Sequence, residues 1–234
     1  MTIDEIYRLV QTFPNKEQRG FISPADFNLL AKQAELELYN KRLSIVKEKS
    51  PTKRTQGIYA ETLSPELAKQ DVANFFKTQD LVVDNGTAYV ICDYIDSVFT
   101  NTNSTYNMSS NIPVDIVEPS DVNQILRSSL VKPSYEYPIA LISGNAKGKV
   151  INIFPEEVTE ISVYCYYYGN NIPKWSYVTI SGKPVYDVSS STDFSISSRC
   201  HGELVVKILE YLGVSIREPE VVQYAQANEI KADS

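Results

Sequence analysis

The spacing of apolar residues opens the chain with helices. Ile3 to Val10 reads as a short helix, with Thr2 at its N-cap and Asp4 and Glu5 in the first turn, where acids favour the helix dipole. The spacing stops it near Phe13-Pro14, because a residue before proline avoids the α region. After a polar turn, Ser23 caps, Pro24 takes the first helical position and Asp26 lies three residues past the cap, opening a long helix from Pro24 to Lys47. It carries two apolar rows. Phe27, Leu30, Ala31, Ala34 and Leu38 form an i, i+3, i+4 stripe, and Leu29, Leu36 and Leu43 repeat at seven-residue intervals on a neighbouring face. So wide an apolar surface predicts packing on the helix's own domain and on something further. Ser64-Pro65 repeats the cap-plus-proline signal and starts a helix to about Lys77, and Ser120 caps another from Asp121 to about Leu130. Glu203 to Leu212 is a third with a dense inward stripe, ended by Gly213, and Pro219 begins a last helix.

Period-two stretches occupy the middle. Leu81–Val83 and Ala88–Cys92 flank Asn85-Gly86, which fits a type I′ hairpin turn. Val114–Val117, Pro138–Ser143, Val150–Phe154 and Thr159–Tyr168 follow, the last as the longest strand. Its alternation sets Ile161, Val163, Cys165 and Tyr167 on one face and Ser162, Tyr164, Tyr166 and Tyr168 on the other. Tyr177–Ile180 and Val185–Val188 read as one more hairpin around Ser181-Gly182. Residues 47–62 and the polar run Thr100–Asn111 lack any period and read as linker or loop. The expected fold is therefore α+β: a helical bundle from both chain termini packed beside an antiparallel β-sheet or hairpin insertion. Residues 1–48 and 200–234 supply the terminal helices, joined by 64–77 and 120–131, while 79–118 and 133–190 form the β portion of one compact unit.

Composition narrows the function classes. With 234 residues, 43% hydrophobic and 22% charged, the chain can bury a core and is not disordered overall. No apolar run approaches a membrane span, and the acidic start MTIDEIYRLVQTF is unlike a secretory leader, so we expect a reducing cytoplasmic setting. Cys92, Cys165 and Cys200 are odd in number and widely spaced, giving neither a disulfide framework nor a zinc site. The net charge of −7 divides unevenly. Residues 1–60 hold 10 Lys/Arg against 7 Asp/Glu, and residues 61–234 hold 12 against 22. That acidity argues against a surface that clasps nucleic acid and suits one that DNA slides past.

Candidate chemistry is sparse. Cys200-His201 is the sole Cys/His proximity, but adjacent side chains rarely converge, so a helix entry with a small buried thiol is the better reading. Glu156-Glu157 follow a turn proline, and Asp93 and Asp96 flank a strand end, so neither pair makes a glycosidase dyad. Gly144-Asn-Ala-Lys-Gly148 joins strand to strand rather than strand to helix, which suits a hairpin loop and not a phosphate loop. No catalytic residue, metal ligand or cofactor-binding residue is assigned, and the expectation is a protein that is not an enzyme. What remains is aromatic: 16 tyrosines, with Tyr164, Tyr166, Tyr167, Tyr168, Trp175 and Tyr177 close together. These residues suit a protein interface, a sugar-stacking platform, or the roof of the chain's own sheet.

Several segments together resemble structural proteins of tailed phages infecting Bacteroidetes, including the crAss-like group. FISPADFNLLAKQA and GVSIREPEVVQYA carry the similarity most specifically, with SPELAKQDVANFF, YVICDYIDSV, VEPSDVNQILRSSLVKPSYEYPIALIS, VINIFP and ISVYCYYYGNNIPKW beside them. The resemblance implies a head-to-tail connector or adaptor of the virion. Its expected partners are itself in a twelve-fold ring, the portal and other tail or ring proteins, and genomic DNA passing through the lumen without sequence-specific binding, with no membrane. Its expected place is the virion, after assembly in the host cytoplasm. On this expectation Leu29, Leu36, Leu43, Tyr164, Tyr166, Tyr168 and Trp175 are the candidate subunit-interface residues. The alternative is a carbohydrate- or receptor-binding virion module using the tyrosine/tryptophan cluster.

Overall fold

The computed structural model describes residues 1–16, 22–47, 64–101, 111–145, 148–169, 172–180 and 182–216. The expected linker after Lys47, most of the polar run before Asn111 and the last helix from Pro219 lie outside them. The chain divides into two compact units, Met1–Phe75 with Asn170–Ser234, and Phe76–Gly169.

The first unit holds four helices, α1 (Ile3–Lys16), α2 (Pro24–Lys47), α3 (Pro65–Asp71) and, late in the chain, α5 (His201–Ile216). Their starts are written locally. Thr2 and Glu5 close a reciprocal capping box, with the Glu5 amide donating to the Thr2 hydroxyl at 3.3 Å and the Thr2 amide to the Glu5 carboxylate at 2.8 Å. The Asp26 amide donates to the Ser23 hydroxyl at 3.1 Å, and Leu67 does the same to Ser64 at 3.3 Å. Two expected stops fail. α1 runs past Pro14 to Lys16, and Gly213 lies inside α5 rather than beyond it. α3 is shorter than expected: it gives way to a 3-10 turn at Ala73–Phe75, and Phe76 already belongs to a strand.

The second unit corrects the expected fold class. It is a seven-stranded, nearly closed, barrel-like sheet whose strands dominate the core, so the molecule is mixed α/β and not a terminal helical bundle beside a hairpin insertion. In chain order the strands are β1 (Phe76–Val82), β2 (Thr87–Val90), β3 (Tyr94–Asn101), β4 (Asn111–Val117), β5 (Ile139–Asn145), β6 (Gly148–Phe154) and β7 (Glu160–Tyr166). They lie in the order β1-β7-β3-β4-β5-β6-β2. Every neighbouring pair is antiparallel except β4 and β5, which are parallel. Parallel neighbours need a crossover, and α4 (Pro119–Arg127) supplies it from within this unit. Its N-cap is Glu118, with Pro119 in the first helical turn, rather than Ser120.

The Asn85-Gly86 turn forms, with both residues at positive φ and Asp84 and Thr87 exchanging hydrogen bonds of 2.9 Å. However, the strands it joins do not make a hairpin. β1 pairs with β7 and β2 with β6, so the turn links the two edges of the sheet and holds them close at the seam. All seven strands send apolar side chains inward, among them Ala88, Ile95, Val114, Ala140, Ile153 and Ile161, with Leu81 packed against them. Finally, β8 (Tyr177–Ile180) and β9 (Lys183–Tyr186) form a separate two-stranded hairpin belonging to the first unit.

Candidate functional site

The tyrosine strand splits into an inner and an outer set. Ile161, Val163 and Cys165 enter the barrel core with Tyr167 packed against it, and the Lys77 ammonium lies 5.0 Å from the Tyr167 ring. On the other face Tyr164 meets Phe99 at 5.2 Å, while Tyr166 meets Phe76 at 5.1 Å and stacks on Tyr94 at 6.3 Å. Tyr166 and Tyr168 are buried; Tyr164 keeps partial exposure. Beyond β7 the Tyr168 amide donates to the Asp93 carboxylate at 2.7 Å, which gives Asp93 a structural role.

Trp175 belongs to the other unit and is also buried. The Asn28 side chain of α2 grips its backbone from both sides, accepting from the Trp175 amide at 2.7 Å and donating to its carbonyl at 3.0 Å. The indole N–H donates to Asp4 at 3.1 Å, and Asp4 also pairs with Arg8 at 2.8 Å. Three phenol rings surround the indole: Tyr7 at 4.2 Å, and the cross-strand partners Tyr177 and Tyr186 at 5.8 and 5.7 Å. Beside this cluster lies a cavity of about 310 Å³, lined by Asp4, Tyr7, Arg8, Trp175, Pro184, Val185 and Tyr186. Its walls are aromatic and aliphatic. The Arg8 guanidinium, well exposed on α1, is its cation.

Exposed apolar side chains gather on two short elements. The β8–β9 hairpin presents Tyr177, Val178, Ile180 and Val185, with Val188 just beyond, and its strands are largely uncovered. The connection from α4 to β5 presents Leu130, Val131, Tyr135 and Tyr137. Leu130 is 95% exposed, yet its backbone is fixed: the Ser128 hydroxyl accepts from the amides of Leu130 and Val131 at 3.2 and 3.3 Å. Ser134 and Tyr137 close a second turn at 3.1 and 3.3 Å. Of the seven residues expected at an interface, Leu29 is 68% exposed, Leu36 and Tyr164 are partly exposed, and Leu43, Tyr166, Tyr168 and Trp175 are covered. Nor are the seven gathered in one unit. Leu29, Leu36, Leu43 and Trp175 belong to the first and the three tyrosines to the second. Reasoning from sequence missed Leu130 and Val131; the available signal was an apolar pair stranded between a helix end and Pro133.

The other buried charged groups gather in the helical unit. Arg42, buried on α2, pairs with Asp71 at 3.2 Å and with Glu203, while Lys41 reaches Glu203 at 3.2 Å and Arg199 reaches Asp71 at 2.8 Å. Glu35 is fully buried and accepts the amides of Ser195 and Ile196 at 2.6 and 3.1 Å. Cys200 sits beside Arg42 and Asp71, and burial pushes its thiol up to about 11, far from the lowered value of a reactive cysteine. His201 is buried with its ring 6.0 Å from Phe194, and burial, then the chain's terminal ammonium, lowers its basicity. Glu156 and Glu157 are exposed in their turn, and the 144–148 segment joins β5 to β6. Among the described residues no group of three His, Cys, Asp or Glu is placed to hold a metal ion, and no helix is long and apolar enough to cross a membrane. No protein-family model matches the chain, and no curated protein matches it.

Proposed function

We propose that the chain is a non-enzymatic structural subunit of an oligomeric ring at the portal, or head-to-tail junction, of a tailed-phage virion, around a channel through which DNA passes. The observation carrying this reading is the concentration of solvent-facing apolar side chains on two separate elements, the β8–β9 hairpin and the α4–β5 connection. Exposed apolar clusters of this kind mark sites of association. Two unlike patches on one chain are what a head-to-tail ring requires. The phrases FISPADFNLLAKQA and GVSIREPEVVQYA supply the virion context by resemblance, and the net charge of −7 suits a conduit that does not retain DNA. Native mass spectrometry or light scattering on the purified chain, alone and with portal rings, tests the reading. A closed oligomer or a portal-bound ring is expected. A monomer that also ignores portal rings would sink it.

One observation favours a second reading, a carbohydrate- or receptor-binding virion module: the cavity beside Trp175 combines aromatic walls with the Asp4–Arg8 pair. Glycan-array binding that Arg8→Ala abolishes would select this reading over the ring.

A further inference from the structure

Cys92 and Cys165 stand far apart in the sequence but share the barrel core. The segment ahead of β3 brings them together. The Asp93 amide donates to the Tyr166 carbonyl at 2.9 Å, so the residues that follow the two cysteines are bonded directly, and the Asp93 carboxylate accepts from the Tyr168 amide at 2.7 Å. Between them the two thiols hydrogen-bond to each other. We propose that Cys92 and Cys165 form a modification site, where a peroxide oxidises the two thiols to an intrachain disulfide that fastens the approach to β3 onto β7. The site lies within the barrel unit and stands independently of the ring reading above.

The two thiols have unequal roles. A thiolate on Cys165 is favoured first by the hydrogen bond it accepts from Cys92 and, against burial, by the Lys77 ammonium. The same contact, followed by burial, disfavours a thiolate on Cys92. Lys77 is the cross-strand partner of Cys165; it is exposed, and its ammonium lies 5.0 Å from the Tyr167 ring. Cys165 is therefore one side chain from solvent although its own surface is covered. Cys92 keeps 8% exposure and Cys165 none, which favours hydrogen peroxide, close to water in size, over a bulky disulfide as the oxidant. The Cys165 sulfur gives an electron pair to one peroxide oxygen, the O–O bond breaks, and the departing hydroxide takes up the proton that Cys165 lost. The Cys92 sulfur then attacks the sulfenic sulfur of Cys165, the S–O bond breaks, and a second water leaves with the Cys92 proton. Two thiols and one peroxide give one disulfide and two waters, with two electrons passing from sulfur to oxygen. The closed loop runs from residue 92 to residue 165 and takes in β3 to β6, so it restricts the unfolded chain across most of the barrel. Cys200 belongs to the other unit, beside Arg42 and Asp71, and burial holds its thiol up at about 11, so it stays reduced.

Peroxide titration of the folded chain tests the proposal. After quenching, the chain is unfolded in urea with iodoacetamide and mapped by mass spectrometry, with and without reduction. The expected map shows alkylation at Cys200 alone and a linked pair of peptides carrying Cys92 and Cys165. The thermal midpoint read by sheet circular dichroism should rise by about 5–15 °C and fall back on adding dithiothreitol. Cys200→Ala should keep that rise and Cys92→Ala should lose it; if Cys92→Ala does not fold, the wild-type map decides. Alkylation of all three cysteines at every peroxide dose would overturn the proposal. So would oxidation that stops at a sulfinic acid on one sulfur, a link between two chains, or a pair that joins only after urea has unfolded the protein.

Discussion

The two units are filled by opposite means. The barrel interior is lined by aliphatic side chains and two thiols, whereas every buried Glu, Asp, Arg, Lys and His among the described residues lies in the helical unit: Glu35, Arg42, Asp71, Lys207 and His201. The reason lies in backbone bookkeeping. In a nearly closed sheet each strand satisfies its neighbours' amides and carbonyls, so the interior requires no charged side chain, and the fully buried Thr100 hydroxyl donates to the Ile112 carbonyl of the neighbouring strand. The helical unit encloses an irregular stretch between the β8–β9 hairpin and α5 whose backbone has few regular partners. Glu35 accepts from Ser195 and Ile196 and Asn74 donates to the Ser195 carbonyl, while on the near side of the hairpin Asn28 brackets Trp175. Helix side chains there do the work that strands do in the barrel. The ionic cluster around Arg42 fixes how α2, α3 and α5 meet, since its members come from all three and from the turn before α5.

The largest expected break follows from removing Arg42. Arg42→Leu leaves the buried Asp71 and Glu203 carboxylates with only Arg199 and Lys41 as counterions, and breaking such a buried network costs about 3–5 kcal/mol. Urea unfolding followed by Trp175, the sole tryptophan and a resident of this unit, reads the loss directly. A loss below about 1 kcal/mol would place the cluster in the class of solvent-screened surface pairs. On the barrel side the largest effect is at Gly148, where a Cβ would stand 2.5 Å from the Val90 carbonyl oxygen. Gly148→Ala must displace β2 from β6, at about 1–3 kcal/mol as for other overpacked sites. Sheet circular dichroism should register it while Trp175 emission stays at its wild-type midpoint. Smaller still, Ile161→Val removes one methyl group from the barrel core and should cost about 0.5–1.5 kcal/mol.

The same contrast explains what sequence reasoning could reach. Helix starts were legible because their signals are local: Thr2-x-x-Glu5, Ser23-Pro24 and Ser64-Pro65 each act within four residues. Strand β3 was missed because a bulge between Ile95 and Ser97 breaks its alternation, putting the inward Ile95 and Val98 three residues apart instead of two. The Asn85-Gly86 turn was read correctly as a turn and wrongly as a hairpin, because closure of the sheet gives each flanking strand a different partner. Glu35 and Arg42 lie one turn after Ala31 and Leu38, beside the apolar stripe, but a charged residue there reads as the stripe's solvated edge, and only the fold shows them buried. Nor does apolar spacing separate a tyrosine that roofs its own sheet from one that meets a neighbour. Tyr166 and Tyr168 are buried, whereas the exposed Leu130 and Val131 lie in a segment without helical or strand period.

Acid should separate the units with the gentlest perturbation. The Glu37 carboxyl feels burial, which raises it, but the Tyr211 hydroxyl and the Lys207 ammonium 2.9 Å away outweigh that and hold it below its usual range. Asp187 is lowered by the hydroxyls of Ser189 and Ser190, and His201 is lowered chiefly by burial. All three belong to the helical unit. A group whose folded value is depressed contributes stability above its unfolded value, and that contribution disappears as the pH falls through the folded one. For His201 the loss therefore begins below its ordinary value of 6.5, and for Glu37 below 4.5. Between pH 7 and 4 the denaturation midpoint reported by Trp175 emission should fall faster than the midpoint reported by sheet circular dichroism. Replacing His201 with Phe should remove the part of that difference that appears first. Coincident midpoints across the range would mean that the ion-paired interior and the aliphatic one unfold as a single cooperative body, and the contrast between them would then carry no separate energetic consequence.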